Sequence, residues 1–315
     1  MGKRLCAICL LLLLLVGCGA ANETGASAET AVTFVDDLGR EVTVNAPERV
    51  APLLGSFAQI WQLGGGEVAA TADDAWLDLG LTLSEDTVNL GNIKNLNLEL
   101  LLAAKPDFIL ASTNTRQHRE WKETLEAAGI PVAYFDVEDF SDYLRLLSIC
   151  TEITGREDLF EEHGAAVQAQ IDAVVERSKV RLEQEEAPSV LCIVASANLV
   201  KAKASDGNVL SSMLHTLGCT NIADTETILL DNLSMEHILV ADPDYIFFVQ
   251  RGDDREGMEA YVRTLFMESP MWNQLSAVQE NRVYFMEKGL FHLKPNHRWG
   301  EAYEILEDIL EHGET

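Results

Sequence analysis

Apolar positions recur along this chain with two periods, and the order in which the periods alternate predicts its architecture. Residues 32–36 and 40–44 alternate apolar with polar around Asp37, Leu38 and Gly39, the pattern of a β-hairpin. A short apolar run at 50–54 predicts a buried strand, 57–63 a helix closed by three glycines, and 67–71 another strand. Residues 72–90 keep no period and are expected to form a loop. Helix 97–104, strand 107–111, helix 116–128, strand 131–135 and helix 140–154 follow, punctuated by Pro106, Gly129 and Gly155. After Pro188 the series resumes with strand 189–194, helices 209–217 and 235–241, strand 245–249, helix 258–266, strand 282–286 and a closing helix at 296–312. Strands alternating with helices predict an α/β fold with parallel sheets covered on both faces.

Between the two series, residues 157–186 carry one long helical pattern, with Leu159, His163, Val167, Ile171, Val174, Val175 and Leu182 on one face. About 29 helical residues reach roughly 43 Å. That exceeds the breadth of a small α/β lobe, whose radius of gyration is ~13 Å at 100 residues. The expected organisation is two lobes with parallel sheets, joined by this one helix, with a ligand cleft between them: residues 32–156, a spanning helix at 157–187, and residues 188–315.

The two halves share a unit. Residues 97–110 (NLELLLAAKPDFIL) align without gaps with residues 234–247 (SMEHILVADPDYIF), matching Glu99 with Glu236, Pro106 with Pro243, and Asp107 with Asp244. Each unit reads as an N-cap, a short helix, a Pro-Asp turn and a buried strand. Glu99 and Glu236 fall in the first helical turn, where a carboxylate already favours the positive end of the helix dipole.

The N-terminus reads as an export leader. Lys3 and Arg4 precede an apolar run at 8–16, shorter than the ~20 residues a membrane-spanning helix needs. The run ends in Leu15, Val16, Gly17 and Cys18, which resembles the lipobox of bacterial lipoproteins. That resemblance implies a signal peptide at 1–17 and a diacylated Cys18 as the mature N-terminus. Residues 18–31 are small and polar, as in a flexible tether, so the protein is expected at the extracytoplasmic face of the cell membrane.

With 23 basic against 51 acidic residues, the formal charge is −28. Such a surface repels nucleic acid, which is therefore excluded as a partner. Of six cysteines, Cys6 and Cys9 lie in the leader and Cys18 at its end. Cys150, Cys192 and Cys219 sit in apolar stretches and are expected as buried thiols, with one bridge among them left open. No Cys-x-x-Cys pair, Gly-x-Ser-x-Gly elbow or phosphate loop occurs. The seven histidines show no metal-ligand spacing, so neither a cofactor nor catalysis is expected.

The leader, the hairpin, the segment Arg49-Val50-Ala51-Pro52-Leu53-Leu54-Gly55-Ser56, the two glutamate units and the spanning helix together resemble the substrate-binding proteins of ABC importers for iron-siderophores, haem and cobalamin. The likeness runs from about Val32 to about Leu310. It implies a monomer that captures a small metal chelate and delivers it to an ABC permease dimer with its ATPase subunits, with Glu99 and Glu236 meeting permease arginines. Cobalamin or another corrinoid, a bare metal ion, and an enzyme on the same scaffold remain as alternatives.

Parallel sheets bind ligands beyond the carboxyl ends of their strands. The cleft residues expected on that rule are Ser56, Phe57, Trp61, Trp76, Thr113, Asn114 and Arg116 from the first half. From the second half come Asn198, Lys201, Arg251, Phe291, His292, Lys294 and Arg298. Phe57, Ile60 and Trp61 share a helical face, so Trp61 also fits a core position. Residues 289–298 are basic for so acidic a chain and suit an anionic chelate or a propionate-bearing ring.

Overall fold

The computed structural model describes residues 31–313, so Cys18, the leader and most of the tether lie outside the described residues. In the first half β1 (Val32–Val35) and β2 (Glu41–Val44) form the antiparallel hairpin. They are followed by β3 (Val50–Pro52), α1 (Gly55–Leu63), β4 (Ala70–Thr71), β5 (Val88–Asn89), α2 (Leu98–Ala103), β6 (Phe108–Ser112), β7 (Val132–Phe135) and α3 (Phe140–Thr154). The order β3-β6-β7 makes a parallel three-stranded sheet, and β4 pairs with β5 beside it. The second half contains β8 (Ser189–Ser196), β9 (Leu199–Lys203), α5 (Val209–Thr216), β10 (Thr220–Asn221), α6 (Met235–Ala241), β11 (Tyr245–Gln250), α7 (Arg255–Val262), β12 (Val283–Met286) and α8 (Trp299–His312). Its sheet runs β10-β8-β11-β12 in parallel, with β9 antiparallel to β8. Between the halves lies one helical stretch, which ends in α4 (Ala166–Leu182).

That spine runs continuously from Glu157 but is not uniform. Glu161–Ala165 forms a π-turn, where the His163 carbonyl accepts a 2.9 Å hydrogen bond from the Tyr143 hydroxyl. Its end at Leu182, rather than residue 186, has an electrostatic reason. Glu183, Glu185 and Glu186 would load acid onto the negative end of the dipole, and Pro188 disfavours helix just before it.

Two short elements depart from the sequence expectation. The stretch 72–90 is not a plain loop, because it holds a helical turn at Asp74–Leu77 and the strand β5. In the second half β9 turns back along β8 instead of forming a loop.

Strand alternation divides the apolar side chains between three clusters. Val190, Cys192 and Val194 of β8, and Tyr245, Phe247 and Val249 of β11, face inward. So do Phe108 and Leu110 of β6 and Phe135 of β7. All join one continuous core with Val167, Ile171 and Val174 of α4 and Trp299, Leu306 and Ile309 of α8. The intervening residues Leu191, Ile193, Ile246 and Phe248 enter a second cluster on the outer face of the second sheet. Ala51, Ile109, Ala111 and Tyr134 do the same for the first sheet. Cys150, Cys192 and Cys219 are buried free thiols, as the sequence predicts.

The repeat persists down to single bonds. Asn97 and Ser234 cap their helices by accepting from the backbone of Leu100 and His237. Lys105 and Asp242, at equivalent positions before the prolines, both take left-handed backbone with φ of 49° and 40°. Asp107 then accepts from the amides of Glu48 and Arg49, and Asp244 from the amide and hydroxyl of Ser189. In each half the Pro-Asp turn therefore pins the start of the neighbouring strand.

The hairpin is fastened by Asp36. Its carboxylate accepts from the amides of Leu38, Arg40 and Tyr134 and pairs with the Arg40 guanidinium at 2.6 Å. Burial alone would raise its pKa, but the bonds from Arg40 and Tyr134 prevail and hold it below the ordinary 3.8. A depressed folded-state pKa contributes stability above the unfolded value and loses it as pH falls through the folded one. Acid unfolding of Asp36→Asn is therefore expected to depend less on pH below about 4 than that of the parent, at lower overall stability. Denaturant titrations across pH 2–7 check this, and parallel curves for the two proteins would refute it.

The common core limits how far the two halves can move. Sliding one sheet past the other would open side chains of α4 and α8 that are packed against both. Ligand binding is thus expected to leave the radius of gyration nearly unchanged, as small-angle scattering with and without ligand can show. A large contraction would contradict this.

Candidate ligand cleft

The carboxyl ends of the strands bring loops from both sheets to one cavity of about 320 Å³. From the first half come Asn114, after β6, and Val137, Glu138 and Asp139, after β7. From the second come Val194 of β8, Lys203 of β9, the loop Asp206–Asn208 and the first turn of α5. His292 and Lys294 close the floor, and they also line a 160 Å³ chamber with Leu54, Ser56, Asp74 and Asp78. Further along, Lys288 of the second half bridges Asp78 of the first and Asp253 of its own, each at 2.7 Å.

The cleft gathers some of the residues expected there and not others. Asn114, His292 and Lys294 line the main cavity, and Ser56 lines the adjoining chamber. Lys201 and Arg251 are exposed but close enough to Lys203 to depress its pKa. Phe57, Trp61 and Phe291 correct the expectation, because all three are buried in the core at 2 % exposure or less. The Phe57 and Trp61 face of α1 points inward, and the indole nitrogen donates to the Glu67 carbonyl at 2.8 Å, so the ring is fully used. Trp76 is half-buried on its helical turn and lines none of these cavities. Asn198 sits exposed in the β8–β9 turn. Arg116 is exposed and pairs with Glu120 at 2.6 Å, and Arg298 pairs with Glu301 at 2.7 Å; neither reaches the cavity. Thr113 is half-buried, with a hydroxyl that has no partner.

Sequence reasoning missed most of the lining, including the polar residues Lys203, Asp206, Asn208 and Ser212. The signal was present in Leu199-Val200-Lys201-Ala202-Lys203, where Val200 and Ala202 pack into the outer cluster of the second sheet and Lys201 and Lys203 alternate with them. Val137, Glu138 and Asp139 follow a strand end, so the rule that selected Thr113 and Asn114 selects them equally.

Charge is distributed unevenly over the cleft. Burial lowers the Lys294 pKa, against the pull of Asp136, Glu138 and Asp142. Burial lowers that of Lys203 also, helped by Lys201 and Arg251. The His292 imidazole is pushed down to about 4 by burial and by Arg251, Lys288, Lys203 and Lys294, so it is neutral near pH 7. On the opposite wall Asp74 donates nothing and accepts from the Gly55 amide. Burial, with Asp78 and Asp73 nearby, raises its pKa to about 6. Gly55 is needed there, since a Cβ would lie 2.6 Å from the Ala75 amide nitrogen. The second half thus contributes a basic floor, and the first an acidic wall.

Glu99 and Glu236 stand exposed in the first turns of α2 and α6. The turn after each helix reverses the chain into a strand, so the helix N-termini lie toward the strand ends that form the cleft. The pKa of Glu236 is lowered by its own helix backbone and then by the Ser234 hydroxyl.

A sequence profile described as periplasmic binding protein matches residues 50–290. Among curated relatives, the Fe(3+)-citrate-binding protein YfmC of Bacillus subtilis is 23% identical, over 86% of this chain and 84% of its own. The putative ABC transporter substrate-binding lipoprotein YhfQ of the same organism is 22% identical over 93% of each chain. Among solved structures, Staphylococcus aureus SirA complexed with staphyloferrin B superposes with a TM-score of 0.66 at 20% identity, covering 89% of this chain and 97% of that one. The two-lobed parallel architecture, the cleft at its strand ends and the profile match over most of the length agree: this chain belongs to the periplasmic binding protein family.

Proposed function

We propose that this protein captures a ferric chelate, a siderophore complex or haem, in the cleft between its sheets and hands it to an ABC permease. The observation that carries this reading is the cavity itself. It is built from both halves at the carboxyl ends of their strands, and its basic floor is unusual for a chain of formal charge −28. Relatives named for Fe(3+)-citrate and for ABC transport support the cargo and the permease. Membership of a binding-protein family, with relatives named as binding proteins, supports binding rather than catalysis as the role. Acylation at Cys18 would hold the protein at the outer face of the membrane, and the tether would give the two lobes their reach. Titration of the purified protein with ferric chelates, followed by tryptophan fluorescence, is expected to show saturable one-to-one binding. Failure of every ferric chelate and haem to bind would remove this reading.

Glu99 and Glu236 serve docking in this scheme. They occupy matching places on two halves that would face the two subunits of a permease dimer, and neither lines the cavity. Glu99→Ala combined with Glu236→Ala is expected to leave ligand affinity intact and to lower uptake sharply, because permease cations would lose their charge-assisted partners. Lys in place of Ala should be worse, through like-charge repulsion. Uptake assays in cells lacking the parent protein, beside ligand titration of the double variant, separate the two effects. Normal uptake would leave the glutamates with the helix dipole alone.

A further inference from the structure

The floor of the main cavity offers hydrogen-bond donors that nothing in the protein accepts. Among the described residues, the ammonium groups of Lys203 and Lys294 have neither an ion pair nor a hydrogen bond, although both are half-buried. The Asn208 side-chain oxygen is fixed by the amide and hydroxyl of Ser211, which leaves its buried Nδ2 without a partner. His292 Nδ1 is likewise buried and unpaired. Acid is plentiful in this chain, and Lys288 nearby holds two carboxylates. The two ammonium groups are free to take an acceptor, and leaving Asn208 Nδ2 and His292 Nδ1 buried without partners costs free energy, which a guest with acceptor atoms would relieve.

The rest of the lining narrows the chemistry. Glu138, Asp139 and Asp206 are exposed at the mouth, and Asp139 is occupied in capping α3 through Ser141 and Asp142. The apolar lining consists of Val137, Val194 and Val209, with no aromatic ring to cover a macrocycle or a catechol. A volume of about 320 Å³ lies at the small end of ligand pockets, which span roughly 300–1,000 Å³.

We propose that the cleft selects a compact ferric hydroxypolycarboxylate, a citrate-like complex whose free carboxylates meet Lys203 and Lys294 and whose remaining oxygens meet Asn208 Nδ2 and Ser212. This rests on the ferric-chelate reading above and specifies its ligand class. Charge-assisted bonds to carboxylate supply both the affinity and the discrimination against neutral or aromatic chelates.

The test is calorimetric titration of the full protein with four probes: ferric citrate, ferric 2,3-dihydroxybenzoate, ferric desferrioxamine and haemin. Ferric citrate is expected to bind tightest, and more weakly as salt rises. Lys203→Met and Lys294→Met should each weaken it by about tenfold or more, the scale of one charge-assisted contact. Lys179→Met, on the exposed face of α4 and outside the cavity, should change it by no more than about twofold. The two cavity variants should melt no lower than the parent, since each removes an unpaired charge. Should Lys294→Met not fold, Lys203→Met and the salt dependence decide. Tighter binding of haemin, catecholate or hydroxamate would overturn the ligand class while leaving ferric-chelate capture standing. Binding of none of the four would overturn both, and unchanged ferric citrate affinity in the lysine variants would overturn the assignment of the floor.

Discussion

Both sheets turn their inner faces onto a single hydrophobic core, and the position of the cleft depends on that sharing. Two lobes with separate cores would meet at a surface and hinge freely. Here Val167, Ile171 and Val174 of the spine, with Trp299, Leu306 and Ile309 of the last helix, belong to the same packed volume as Phe108 and Phe135 on one side and Cys192 and Phe247 on the other. Interiors of this density tolerate little sliding. The shared core holds the strand ends of the two sheets apart, and the space between them is the cavity. Polar ties reinforce the joint. Buried Asn296, with φ of 53°, donates to the Ser56 carbonyl and the Gln59 amide oxygen, and the largely buried Arg181–Glu307 pair at 3.4 Å links the spine to the last helix.

The asymmetry of the cleft follows from the same architecture. Each half contributes its strand-end loops, and those loops differ in charge. Asp74, Asp78 and Glu138 come from the first half, with Asp136 near Lys294, while Lys203, Lys288, His292 and Lys294 come from the second, which adds Asp206 to the main cavity. Across an empty cleft the walls attract each other, most directly through Lys288 and Asp78. Lys288 is the cation of the second half held by a carboxylate of the first, while Lys203 and Lys294 carry no such pair among the described residues.

Much of this was legible in the sequence because its signals were local. The repeat rests on caps and Pro-Asp turns, which act over a few residues, and the structure reproduces them at both positions down to the left-handed residue before each proline. Helix 140–154 was readable to the residue, since a capping Asp139 and a left-handed Gly155 mark its ends. What escaped depended on partners distant in sequence. Strand β5, two residues in a stretch expected as a loop, exists because it pairs with β4. The hairpin partner β9 carries lysines where a core strand would carry apolar residues, and missing it displaced half of the cavity floor. The aromatic residues Phe57, Trp61 and Phe291 were misplaced for a related reason. The strand-end rule finds a neighbourhood, but which side of the chain faces the cavity is decided by the packing of the other elements.

The three free cysteines bear on how such a chain reaches its folded state. All of them lie in the shared core, and burial pushes the thiols of Cys192 and Cys219 up to about 12, so the folded protein offers almost no thiolate to an oxidant. Export through the leader proposed here would deliver the chain unfolded into surroundings that favour disulfides, with those sulfurs still reachable. Collapse of the core and oxidation then run as competing reactions. The first half supplies Cys150 and the second Cys192 and Cys219, so the thiols become safe together only when the halves have closed on the spine. On that route speed of assembly, rather than final stability alone, would decide how much of the exported protein is usable.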